Sequence, residues 1–120
     1  MTVNKPWLDH YPSNVPKTID PDQYGNLIEL YEECFERFRF HPMSICMGVT
    51  HTYDDVDKAS LAVAAWLQGQ GLAKGSIVAL MMPNVPQYLP IMIGILRAGF
   101  VCNPINHLYT GREVNFPNFV

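Results

Sequence analysis

The side chains in this chain best equipped for chemistry are four histidines (His10, His41, His51, His107), three cysteines (Cys34, Cys46, Cys102), and an acidic run of Glu29, Glu32, Glu33 and Glu36. Two histidines a helical turn apart would offer imidazoles to a metal, and a serine inside a GxSxG turn would offer a nucleophile. Neither pattern occurs. The histidines are scattered, and Ser44 and Ser60 lack the flanking glycines. The cysteines form an odd set without CxxC spacing, which argues against a disulfide framework or a zinc knuckle and for reduced, buried thiols. The acidic run is expected to be the solvated face of a helix.

Gly69, Gly71 and Gly75 have GxGxxxG spacing, but they follow a predicted helix and precede a predicted strand. Dinucleotide binding needs the reverse order, with amides at a helix N-terminus facing the pyrophosphate. Lys74-Gly75-Ser76 inverts the Lys and Gly of a phosphate-binding GK[ST] loop, so a helix-to-strand turn explains it. From its own motifs the chain therefore has no assigned catalytic, cofactor-binding or metal-ligating residue.

An apolar fraction of 48% with 16% charged residues in a 120-residue chain describes a small globular unit with a core. The net charge of −3 comes with eight Lys and Arg spread from Lys5 to Arg112, which form no basic patch for nucleic acid. The N-terminus has no apolar run of the kind a secretory signal requires. The longest apolar run, Leu89 to Leu96, is interrupted by Pro90 and Gly94 and falls short of the ~20 residues that cross a bilayer.

The elements that must position any site follow in order. Residues 1–25 hold Pro6, Pro12, Pro16 and Pro21 and are expected to form an extended arm, with Trp7, Leu8 and Tyr11 to bury against its own domain or a partner subunit. Asn26 and Glu29 have capping-box spacing, and Leu27, Leu30, Tyr31, Cys34 and Phe38 mark one face of the helix that follows. Glu33 and Arg37 are placed for an i,i+4 ion pair. His41-Pro42 closes the helix. Residues 43–47 and 50–53 predict a hairpin turning at Gly48-Val49. A second helix starts near Asp54 and Asp55, with Val56, Ala59 or Ser60, Val63 and Leu67 inward, and stops at Gly69 and Gly71.

Residues 76–82, SIVALMM, read as a strand covered on both faces. A third helix spans about residues 86–98, with Pro90 forcing a late start or a kink and Gly99 as its stop. Residues 100–105 make the next strand, and Thr110 with Glu113 opens a further helix. The fold class is α/β, with a mainly parallel sheet, covering helices and a small hairpin. Strands built for cover on both faces also predict that the isolated chain aggregates or folds only in part.

Residues 82–113, MPNVPQYLPIMIGILRAGFVCNPINHLYTGRE, resemble bacterial long-chain fatty-acid–CoA ligases of the adenylate-forming, AMP-binding superfamily, in which MPNxxQY, GILRAG and NPLYTPRE occur in that order. Trp7-Leu8 with Tyr11-Pro12, His51-Thr52-Tyr53 followed by Asp54-Asp55-Val56, and Gly71 to Gly75 are similar to further family elements, so the resemblance covers roughly residues 5–114. Residues 106–113 depart from the family pattern by replacing two prolines. The likeness stops after Val114, for which a frameshift or premature stop near Asn115 is the expectation. Residues 115–120 are read as a divergent tail, and residues 26–114 as part of an N-terminal AMP-binding-type domain.

The resemblance implies fatty acid, ATP and CoA going to acyl-CoA, AMP and pyrophosphate through an acyl-adenylate, with magnesium, loop amides and a lysine neutralising phosphate charge. The Ser/Thr/Gly-rich phosphate loop, the adenine and ribose elements and the C-terminal lysine of the family match nothing in this chain. The matching residues Tyr53, Asn84, Arg97, Gly99, Tyr109, Arg112 and Glu113 belong to scaffolding, and the chain is expected to be inactive alone. Two alternatives stand beside this reading: a small interaction module pairing with a full-length ligase, and a piece of a medium-chain or aryl acid–CoA ligase. A cytoplasmic location is expected, with peripheral contact of the intact parent at the inner membrane.

Overall fold

Asn26 begins the folded body by accepting, through its side chain, the amides of Ile28 and Glu29 at the start of α1 (Leu27–Phe38). The computed structural model describes residues 4–114. The reciprocal half of the capping box is displaced by one residue, because the Glu29 carboxylate takes the amide of Gly25 at 2.8 Å rather than that of Asn26. One buried residue, Phe35, centres the inward face of α1, flanked by Ile28 and Tyr31, while Leu27 is exposed. The expected face is thus rotated, since counting from Leu27 skipped Phe35. The Glu33–Arg37 pair does not form. Glu33 accepts from the Tyr24 hydroxyl instead, and Arg37 lies over the Phe38 ring. An exposed i,i+4 pair is worth only ~0.3 kcal/mol and yields to either alternative.

β1 (Pro42–Cys46) and β2 (Val49–Thr52) form an antiparallel hairpin with a bulge between Pro42 and Ser44. Its turn is Met47-Gly48, one residue earlier than the spacing suggests. Both residues have positive φ, 50° and 80°, as a tight two-residue hairpin turn demands. α2 (Tyr53–Gln68) follows directly, capped by Thr52. Its buried positions are Val56, Ser60, Ala64 and Leu67, so Ser60 rather than Ala59 faces inward.

β3 (Ile77–Met81) and β4 (Val101–Ile105) pair in parallel, Ile77 opposite Val101 through Met81 opposite Ile105. α3 (Tyr88–Arg97) is the crossover between them. The late start expected from Pro90 is what occurs. Proline falls in the first turn, where its missing amide would have had no intrahelical partner. Gly99, at φ +83°, ends α3 in a Schellman cap, its amide bonding Leu96 and the amide of Phe100 bonding Ile95. A final turn, α4 (Gly111–Val114), is opened by Thr110.

The architecture is α/β, with the hairpin and the parallel pair as two separate ladders. One core joins α2, α3 and the parallel pair through Ala64, Leu67, Leu80, Ile95, Ala98 and Phe100. A second joins α1 to both helices through Phe35, Val56 and Ile93. Among the described residues β3 is covered on one face only: Leu80 is buried, whereas Ile77 and Met81 are each 44% exposed. In the arm, Pro6–His10 forms a 3-10 turn rather than extended chain, with proline at its start. Trp7 and Tyr11 are not buried against the domain, at 51% and 43% exposed.

The cap of α2 carries a pH dependence. The Asp55 carboxylate accepts both the hydroxyl and the amide of Thr52, at 2.7 and 2.9 Å, and these bonds hold its pKa below the ordinary carboxylate value. A folded-state pKa below the unfolded one gives stability that is present above about pH 4 and lost as pH falls through the lowered value. Asp55→Asn should therefore lower the thermal midpoint at pH 6, and the gap to the parent should shrink as acid protonates the Asp55 carboxylate. A gap independent of pH would refute the carboxylate's role.

Candidate functional site

In open α/β sheets ligands settle beyond the carboxyl ends of the strands. Here Met81 and Ile105 end β3 and β4, and the loops after them enclose a cleft of about 310 Å³ lined by Met82, Asn84, Tyr88, Pro104, Asn106 and His107. A second cleft, of about 320 Å³, lies between the β1 strand and the start of α3 and shares Asn84 and Tyr88 with the first. It is walled by Ser44, Ile45, Cys46, Val85, Pro86 and Leu89.

Local sequence explains these positions. Pro83 and Pro86 keep the segment between β3 and α3 out of a helix, which leaves Asn84 at the mouth of both clefts. Asn106 folds its own loop, accepting the amide of Leu108 with its side chain at 3.0 Å and that of Tyr109 with its carbonyl. The polar groups lining the clefts are amides, hydroxyls and one imidazole, which suit neutral hydrogen-bonding recognition.

A magnesium-bound triphosphate does not fit these linings. Neither large cleft is lined by a lysine, an arginine or a carboxylate, so a polyphosphate would meet no compensating charge there. A smaller cleft of about 140 Å³ includes His51 and Asp55, but the Asp55 carboxylate is committed to the Thr52 cap. Among the described residues no cluster of three His, Cys, Asp or Glu could hold a metal.

The residues picked out by resemblance do not converge on the clefts, apart from Asn84. Tyr53 packs its ring against Phe35 and Phe38, at centroid separations of 6.3 and 5.7 Å. Arg97 is a junction between three helices. Its Nη1 lies 2.7 Å from Asp57 Oδ1 and donates to the Asp57 carbonyl and to Ser60 Oγ, while its guanidinium sits 5.1 Å from the Phe35 ring centroid. Gly99 caps α3. Tyr109 and Arg112 are exposed, and Glu113 receives the amide and hydroxyl of Thr110, which lower its pKa. In that last cap the Thr110 hydroxyl donates to the carboxylate, and the Glu113 amide bonds the Thr110 carbonyl.

Sequence reasoning missed Asp57 and Ser60 as partners of Arg97. The RAG element marked the arginine, but nothing in the spacing marked acceptors 37 and 40 residues earlier. The cysteines, expected to be buried, are free and only half-buried. Burial raises the pKa of the Cys102 thiol, which weakens it as a nucleophile. No helix among the described residues is long and apolar enough to cross a membrane.

Comparison with known proteins agrees with this scaffold. Residues 31–117 match the family described as AMP-binding enzyme. A long-chain-fatty-acid–CoA ligase of Yersinia pestis is 47% identical over 113 residues, covering 93% of this chain and 20% of the ligase. Rice 4-coumarate–CoA ligase 3 is 32% identical over 101 residues, covering 79% of this chain. The N-terminal subdomain of Klebsiella oxytoca NpsA superposes with a TM-score of 0.70 at 27% identity, over 73% of this chain and 23% of that one. The chain thus spans about a fifth of the length of the ligases it matches. With a match running through most of the chain and close likeness to long-chain fatty-acid–CoA ligases, the chain belongs to the AMP-binding enzyme family of adenylate-forming synthetases.

Proposed function

We propose that the chain serves as the N-terminal piece of an ATP-dependent long-chain fatty-acid–CoA ligase, forming scaffold for adenylation and thioester formation without performing either alone. The identity of 47% over 113 residues with a long-chain ligase carries this reading. The uncharged cleft linings support the second half of it, since ATP, magnesium and CoA would be held by parts of a ligase beyond this segment. Its setting is the cytoplasm, where fatty acid, ATP and CoA meet.

The test is fatty-acid-dependent ATP–pyrophosphate exchange, run on the 120-residue chain and on a chimera in which residues 5–114 replace the aligned segment of a long-chain ligase. The chain alone should give no exchange, and the chimera should retain it. Exchange by the isolated chain would overturn its inactivity, and a folded but inactive chimera would overturn the assignment of parent.

A second reading, a piece of an aryl acid–CoA ligase, draws on the 32% identity with rice 4-coumarate–CoA ligase 3. The same graft into that enzyme discriminates the two, since the better-preserved host identifies the parent.

A further inference from the structure

The parallel pair has two unlike faces. Val78, Leu80 and Cys102 point into the core made with α2 and α3. The register aligns Ile77 with Val101, Ala79 with Asn103 and Met81 with Ile105 on the opposite face. Five of those six are apolar. Ile77, Ala79, Met81 and Val101 are exposed, Val101 at 50%, while Asn103 and Ile105 at the β4 side are half-buried. Parallel strands are stable when both faces are covered, because their crossovers place helices on each side. Both helices that pack on this pair, α2 and α3, occupy the same side.

We propose that this bare face is the docking surface for the remaining body of a long-chain fatty-acid–CoA ligase, and that the chain assembles with it even when the two are separate polypeptides. The proposal rests on the parentage argued above. The choice of occupant follows from proportion: this chain covers 20% of the ligases it resembles and 23% of the superposed NpsA subdomain, so those proteins carry several times more chain around the same scaffold. A face of apolar residues around a single amide, Asn103, suits a layer of helices from the rest of such a domain. The exposed arm tryptophan, Trp7, is a separate surface, and this docking does not require it.

The experiment co-expresses the 120-residue chain with a long-chain ligase lacking the segment aligned to it, and reads association by affinity co-purification and peptide-resolved thiol labelling. In the free chain Val101→Cys should label freely, and in the complex about tenfold more slowly. Trp66→Cys, on the solvent side of α2, should label equally in both. Ile77→Lys combined with Val101→Lys should abolish association while leaving the far-ultraviolet dichroism of the free chain unchanged, as both positions are exposed.

Association that survives the double lysine variant would overturn the surface assignment, as would unprotected Val101→Cys in the complex. Protection that rises with concentration of the chain alone would overturn it in favour of a second copy. Should the shortened ligase prove insoluble, the same cysteine is read in the chimera, where labelling at the free-chain rate is the refuting result. Pyrophosphate exchange in these complexes is scored separately. Protection without exchange would sink the ligase reading and leave the docking surface standing.

Discussion

Gly94→Ala should lower unfolding free energy by about 2 kcal/mol, although alanine is the better helix former by about 1 kcal/mol. A Cβ on Gly94 would lie 2.6 Å from Val63 Cγ1, 2.7 Å from Val63 Cβ and 2.9 Å from the Ser60 carbonyl oxygen. Two of those three atoms belong to the backbone or its first carbon, so no rotamer change clears the space. α2 and α3 must separate, and the core contacts of Ala64 and Leu67 with Ile95 loosen together. Trimming the neighbour does not help: Val63→Ala leaves the Cβ and the carbonyl in place, so Gly94→Ala/Val63→Ala should remain destabilised. Only Val63→Gly removes the side-chain part of the clash. Urea unfolding of the two variants beside their parent measures the difference, and a Gly94→Ala variant as stable as its parent would show that the helices are not in this close contact.

Gly94 illustrates what the sequence could and could not disclose. As a letter inside an apolar helix it reads as a weakness, and its meaning depends on Val63 and Ser60 lying opposite. Signals confined to a few residues were legible: the caps at Asn26 and Thr110, the late start imposed by Pro90, the stop at Gly99. Each depends on local backbone geometry, which neighbouring residue types determine. Two of the errors were shifts of phase by a single residue. Phe35 rather than Leu27 faces inward, and the hairpin turns at Met47-Gly48, because periodicity defines a face without fixing its phase. For residues 77–81 the apolar run announces a buried strand, but only the packing shows which side is bare. The clefts beside Asn84 were not legible, since they join residues from the hairpin, the β3–α3 segment and the loop after β4.

The Arg97 junction carries the second large effect. Arg97→Met keeps an unbranched stem near Phe35 but removes the planar fork, and should lower unfolding free energy by about 2–3 kcal/mol. The figure sits below that for a fully buried ion pair because the Asp57 side chain is 20% exposed and water partly resolvates its carboxylate. Glu32, 3.9 Å from Nη2 and 62% exposed, contributes little. Ser60, fully buried, still donates to the Asp57 carbonyl at 2.8 Å but loses the donor to its own oxygen. Arg97→Lys should recover only part of the loss: one ammonium can meet Asp57 Oδ1 but cannot hold the carbonyl and Ser60 Oγ in the same plane. Since Asp57 and Ser60 lie on α2, Phe35 on α1 and Arg97 at the end of α3, the junction fixes how three helices sit on one another. A double-mutant cycle of Arg97→Met with Asp57→Ala should therefore show coupling of about 1 kcal/mol or more. Simple additivity would mean that the arginine stabilises the fold through its stem against Phe35 and not through the charge it brings to Asp57.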